Sequence, residues 1–260
     1  MPFTPSHAVV ALPFVRMPIV PAALAVGSMA PDLAPFTGGL LVRYSVTHDP
    51  RWLPVTLLIA LALLLIWRLL LRPVCRRLAP RAVAERLPEE WDRGPGAALR
   101  ETFPSAGGIV GLLVALAAGI LSHILWDGFT HEGRFGTVLL PVLDRSWGPL
   151  PGYKVLQYGS GLGGLIILGI AGARWLRGRT PAPVAPAPPG LRLAWWLSLP
   201  AFMVGAVVIR ILVSGPPATP LEAYHLAGVL PPACGAWAVL TLGLALVLRA
   251  PRRPAAAAGR

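Results

Sequence analysis

Five stretches of about twenty apolar residues govern what this chain can fold into: 53–71, 106–126, 155–173, 194–213 and 228–248. At 1.5 Å per residue, the first reaches about 28 Å, close to the hydrocarbon thickness of a bilayer. Inside lipid every backbone N–H and C=O must be satisfied within the protein, which leaves helices for segments of this length. Only 13% of the residues are charged and 55% are hydrophobic, whereas a soluble domain carries roughly a quarter charged residues. The expected fold is all-α: a polytopic membrane bundle of about five transmembrane helices.

The segment before the first long run behaves differently. Pro18 and Pro21 divide the apolar residues 8–30 into two pieces, each too short to cross a bilayer. We expect an N-terminal re-entrant helical hairpin, which brings His7 and Asp32 to the same side. A single bent span would separate them. With no basic n-region and with Arg16 inside the apolar stretch, this start does not read as a cleaved signal peptide. Residues 1–248 are expected to form one membrane-embedded domain. It includes a loop at 72–105 and a Pro/Ala-rich flexible linker at 174–192, and a basic disordered tail follows at 249–260.

Net charge is +12, and it is carried by arginine, because Lys154 is the only lysine. The arginines flank apolar runs instead of forming a nucleic-acid surface. They concentrate in 72–105, 174–192 and 249–260, which fall on one side of five alternating spans; 127–154 and 214–227 are poor in arginine. The positive-inside rule predicts that the rich loops and the C-terminus lie on the inner face of the cytoplasmic membrane. Expected partners are therefore membrane lipids, not nucleic acid. The residue at the end of the first run, Arg68, is expected to snorkel towards the interface.

Within this frame Ser122-His-Ile-Leu-Trp-Asp-Gly-Phe-Thr-His131 stands out. His123, Asp127 and His131 recur every four residues, so they share a helix face. Ionisable groups at the end of a membrane helix require a partner, water or an ion. Imidazole with carboxylate at helical spacing suits a divalent metal, zinc first, with manganese or iron as alternatives. His7, Asp32 and His48 can join these three if the N-terminus folds back. Cys75 and Cys234 are the only cysteines, which excludes a thiolate cluster. His225 reads as structural. Arg134, Arg145 and Lys154 are candidates for orienting an anionic substrate, and Gln157 and Tyr158 for facing the same cavity.

Four short motifs carry a family resemblance: Met1-Pro-Phe-Thr-Pro-Ser-His-Ala8, Gly27-Ser-Met-Ala-Pro-Asp32, Thr47-His48 and the Ser122–His131 stretch. Together they resemble the bacterial domain-of-unknown-function family 4184 over essentially the whole chain. The same motifs are more distantly similar to inner-membrane metal-dependent hydrolases, with Ala34 in place of the second Asp of a Pro-Asp-x-Asp element. The resemblance implies that His7, Asp32, His48, His123 and Asp127 are site positions, with His131 extending them. The expected function is a metal-dependent hydrolase acting on a lipid-like or anionic substrate, with Asp49 or Glu132 as general base. The alternative is an ion- or proton-handling transporter, or a non-catalytic membrane-assembly protein.

Overall fold

A computed structural model describes residues 4–17, 20–219, 222 and 226–249. Five helices are long and apolar enough to cross a membrane. They are α2 (Pro50–Leu78), α3 (Ala106–Thr130), α4 (Gly152–Arg177), α5 (Pro189–Ser214) and α6 (Ala227–Arg249). Each overlaps one of the apolar runs and extends beyond it at one or both ends. Ahead of them lie a 3-10 helix, Thr4–Phe14, and α1, Pro21–Met29. The two pack against each other, and Thr4 donates to Asp32 at 2.6 Å across the base of the turn. The chain thus folds back on itself as a helical hairpin. Ser146–Trp147 and Leu150–Pro151 form a two-stranded antiparallel ribbon among the described residues.

The chain divides into two compact units, Met1–Leu65 with Arg93–Pro181, and Ile66–Asp92 with Ala182–Arg260. In the first unit α1 lies flat on α3, and small residues allow the approach. A Cβ on Gly119 would come within 2.7 Å of the Ser28 nitrogen, and one on Gly27 would strike the Leu116 carbonyl. Small faces of this kind let helix backbones touch in lipid, where van der Waals packing replaces the hydrophobic drive. Ser105 caps α3 by accepting from the Gly108 N–H at 3.1 Å. Gly164 of α4 rests against Ser6, where a Cβ would stand 2.9 Å from the serine Cβ. Gly161 of α4 is buried as well, while Gly159 and Gly163 on the same helix have open space beside them.

The second unit centres on Val74, Leu78, Ala187 and Ala245, with Leu191, Trp195 and Leu248 packed around them. Three indole N–H groups find acceptors: Trp195 on Thr241, Trp237 on Ser198 and Trp196 on the Leu78 carbonyl. Satisfying them is what permits Trp in an apolar setting. The Pro/Ala-rich segment runs extended, with Ala182 donating to the Glu85 carbonyl and Ala187 to the Arg77 carbonyl. The snorkelling expected of Arg68 is corrected here, since Arg68, Arg72 and Arg76 are all buried. A π-helical turn interrupts α2 at Trp67–Leu71, and the Glu89–Asp92 turn covers this end, with Trp91 edge-on to Trp67. Arg76 pairs with Asp92 and donates to the Pro183 carbonyl. The basic tail from 250 onward lies outside the described residues.

Candidate metal centre

Four side chains from three separate parts of the first unit meet in one buried place. Asp32 sits in the 3-10 turn Ala30–Asp32, which continues α1. His48 follows the short helix Tyr44–Thr47, and His123 and Asp127 lie one turn apart on α3. Each offers one ligand atom, and these atoms all lie within 4.8 Å of one another. His48 Nε2 is 3.2 Å from His123 Nε2. Asp127 Oδ2 is 3.4 Å from the first and 3.3 Å from the second. Asp32 Oδ1 is 3.8 and 3.6 Å away from the same two nitrogens.

The ring orientations are set from behind. His123 Nδ1 lies 2.7 Å from the Ser28 carbonyl, and His48 Nδ1 lies 3.2 Å from the Tyr44 carbonyl. A carbonyl only accepts, so the proton of each neutral imidazole is on Nδ1. Both Nε2 atoms then present lone pairs to the same point. Asp32 Oδ1 and both carboxylate oxygens of Asp127 are buried without a hydrogen-bond donor. With both imidazoles neutral, four electron-rich atoms (the two Nε2, Asp32 Oδ1 and Asp127 Oδ2) face one another with no proton among them, an arrangement that costs several kcal/mol per buried ion unless a cation compensates. In a tetrahedral zinc site with bonds of 2.0–2.1 Å, neighbouring donors stand about 3.3–3.4 Å apart. The nitrogen–nitrogen and nitrogen–oxygen spacings here fall around that value. Two histidines and two carboxylates fit a divalent cation of the zinc, manganese or iron class.

Each motif supplies its own anchor. Thr4, three residues before His7, holds Asp32. Thr47, beside His48, donates to the Pro31 carbonyl at 2.7 Å, which joins the His48 helix to the Asp32 turn. Ser28, four residues before Asp32, fixes the His123 tautomer. Sequence reasoning missed Thr4, Ser28 and Thr47 as positioning residues. Their signal was present, since all three lie inside the quoted motifs or beside a ligand.

His7 and His131 flank the four. His7 Nε2 is 3.8 Å from Asp127 Oδ1, and its ring lies 4.1 Å from that of His123. Burial, then the neighbouring His123, push the His7 imidazole down to about 4, so it is neutral at pH 7. His131 Nδ1 is 3.7 Å from Asp127 Oδ2 and 3.1 Å from the Asp127 carbonyl. Its Nε2 lies 2.9 Å from the Gln157 amide nitrogen, and Lys154 donates to the Gln157 oxygen. The Gln157 N–H therefore takes up the His131 lone pair.

The two candidate bases lie outside the cluster. Asp49 accepts from the Arg51 backbone and guanidinium at 3.0–3.1 Å, and these bonds hold its carboxyl below the usual range. Glu132 is exposed and accepts from the Tyr153 hydroxyl at 3.3 Å. Arg145 is exposed, and His225 lies outside the described residues. A family model described as a domain of unknown function, DUF4184, matches residues 1–247.

The chain belongs to the DUF4184 family. That match spans both compact units and takes in all six motif positions. No curated protein matches this DUF4184 chain, and no solved structure does.

Two cavities open onto the centre of this DUF4184 protein. One, of about 390 Å³, is lined by Ser6, His7, Val9, Val10, Trp126 and Asp127 among others. The second, of about 540 Å³, is lined by Tyr44, His48, Asp49, Arg51, Asp127 and Arg134 among others. Asp127 belongs to both walls. Tyr44 stacks on His48 with ring centroids 3.6 Å apart, and Arg134 lies over the Tyr44 ring at 5.9 Å. Burial and the two site carboxylates keep the Tyr44 phenol protonated, with its acidity pushed well below normal.

Proposed function

We propose that this protein is a metal-dependent hydrolase of the membrane, with Asp32, His48, His123 and Asp127 as ligands and His7 and His131 flanking them. The observation that carries the reading is the convergence of unprotonated nitrogens and donor-free carboxylate oxygens at a point that two cavities reach. A purely structural ion needs no approach for a substrate. A divalent cation held there, zinc by preference, would polarise a carbonyl or phosphoryl oxygen and activate water near neutral pH. The chain's own part is to fix the imidazoles through Ser28 and Tyr44, to hold the carboxylates through Thr4 and the α3 backbone, and to admit the substrate. Of the two candidate bases, Asp49 is favoured because it lines the larger cavity. The substrate is read as an ester, phosphoester or amide that is lipid-linked.

Purified protein in neutral detergent, tested on soluble and lipid esters, is expected to turn over at least one of them. Chelator and His48→Ala should each reduce the rate by 100-fold or more, and added zinc should restore only the chelated wild type. Bound metal with no turnover on any ester would move the assignment to ion handling by the same buried group.

The arginine distribution supports an outward-facing site in the cytoplasmic membrane. Reporter fusions are expected to be cytoplasmic at residue 90 and extracytoplasmic at residue 140. A cytoplasmic reporter at 140 would reverse the site's orientation.

A further inference from the structure

The two cavities differ in chemistry, and together they describe the shape of a substrate. The smaller has Val9, Val10, the Trp126 ring and Gly161 along its apolar wall, with serine and threonine hydroxyls and the Gln157 amide as neutral polar groups. Apart from His7 and Asp127 at its inner end, its lining residues carry no ionisable side chain. The larger holds Tyr44, Asp49, Arg51 and Arg134. Formal charge can be counted around it. Asp32 and Asp127 balance one divalent cation, and Arg51 is paired with Asp49 at 2.8 Å. Arg134 is the positive charge left over in that count. Its guanidinium lies 5.9 Å from the centre of the Tyr44 ring, and a phenol hydroxyl is a hydrogen-bond donor at neutral pH.

We propose that the substrate is an anionic phosphate amphiphile that straddles Asp127, with its phosphate in the Tyr44/Arg134 cavity and its alkyl chain along the Val9/Val10/Trp126 groove. The inference rests on the hydrolase reading and adds the substrate class and its direction of binding. A planar guanidinium beside a phenol donor suits phosphate oxygens. Only an amphiphile uses both walls at once, because a short soluble ester leaves the apolar groove unfilled. Each methylene buried contributes about 0.8 kcal/mol, or about fourfold in affinity.

A non-hydrolysable probe tests this: a twelve-carbon alkylphosphonate with bromine at the chain end, titrated into the metal-loaded protein in neutral detergent. Bromine should quench indole fluorescence at saturation, and Trp126→Phe should remove most of that quenching. Affinity should rise about fourfold per methylene from six to ten carbons. Arg134→Gln should weaken the phosphonate tenfold or more and leave the matching neutral alcohol unchanged. Methylphosphonate and inorganic phosphate should bind far more weakly than the twelve-carbon probe. Quenching that persists in Trp126→Phe, or affinity independent of chain length or of Arg134, would overturn the proposal. The hydrolase reading fails separately, through absent metal-dependent turnover, and binding with these dependences would still establish the amphiphile site.

Discussion

Protein purified without chelator is expected to contain about one equivalent of divalent metal per chain, and His123→Ala and Asp127→Asn are expected to abolish it. The expectation follows from what the cluster lacks. His48 and His123 spend their Nδ1 protons on the Tyr44 and Ser28 carbonyls, and their Nε2 atoms approach to 3.2 Å. Two neutral rings in these tautomers gain nothing from that approach. Two imidazoliums would place like charges in contact, at a cost far above that of a hydrogen bond. A dication between them and the two carboxylates removes both problems. Asp127→Asn is the informative change, since it keeps the size of the side chain and removes a charged donor shared by both cavities.

Thr47→Val tests the supporting layer in the same measurement. It removes the hydroxyl that ties the His48 helix to Pro31 while keeping the side-chain shape. Loss of such a partner typically costs 10–100-fold in metal affinity, read by competition with a chelating dye. Occupancy should fall on acidification, because the ligands must be neutral histidine and ionised aspartate. Elemental analysis that finds the wild type free of metal at neutral pH would remove the basis of the hydrolase reading.

The second large effect is expected from a single methyl group. Gly119→Ala places a Cβ against backbone atoms of Leu24, Gly27 and Ser28, none of which can rotate away as a side chain could. Helix α1 must shift, at about 1–3 kcal/mol for overpacking. At about 2–4 °C per kcal/mol, the thermal midpoint should fall by several degrees. The shift also carries the Ser28 carbonyl away from His123 Nδ1, so metal should be lost together with stability. Gly111→Ala on the same helix has open space beside it. That change should leave metal content unaltered and, if anything, raise stability, because alanine is the better helix former. Equal responses from the two variants would mean that the α1–α3 contact does not position the site.

The spans were legible because length and hydropathy dictate them: a run such as 106–126 has no other stable state in lipid. The hairpin was legible from Pro18 and Pro21, and Thr4 bonded to Asp32 closes it. The placement of Arg68 was not legible. Its position at the end of an apolar run predicts snorkelling, but the cover supplied by Glu89–Asp92 is a tertiary event invisible to a local pattern. Of the site, periodicity revealed His123, Asp127 and His131 as one face. It could not reveal that Gln157 of α4 takes up the His131 lone pair while His48, 75 residues upstream, takes the place beside His123. Ser28 and Thr47 are visible within or beside the motifs, but their anchoring roles run through the Ser28 and Pro31 carbonyls, which residue types alone do not reveal.

The way the ligands are tied together has a consequence for biogenesis. Asp32 is held by Thr4, and the His48 helix by Pro31, within the first fifty residues. The other half of the cluster arrives only with α3. A nascent chain that has emerged as far as α2 therefore exposes a prearranged aspartate and histidine whose Oδ1 and Nε2 still lack the α3 side chains. Insertion of α3 both buries them and delivers His123 and Asp127. A divalent cation held by all four side chains would therefore load only after α3 has entered the membrane.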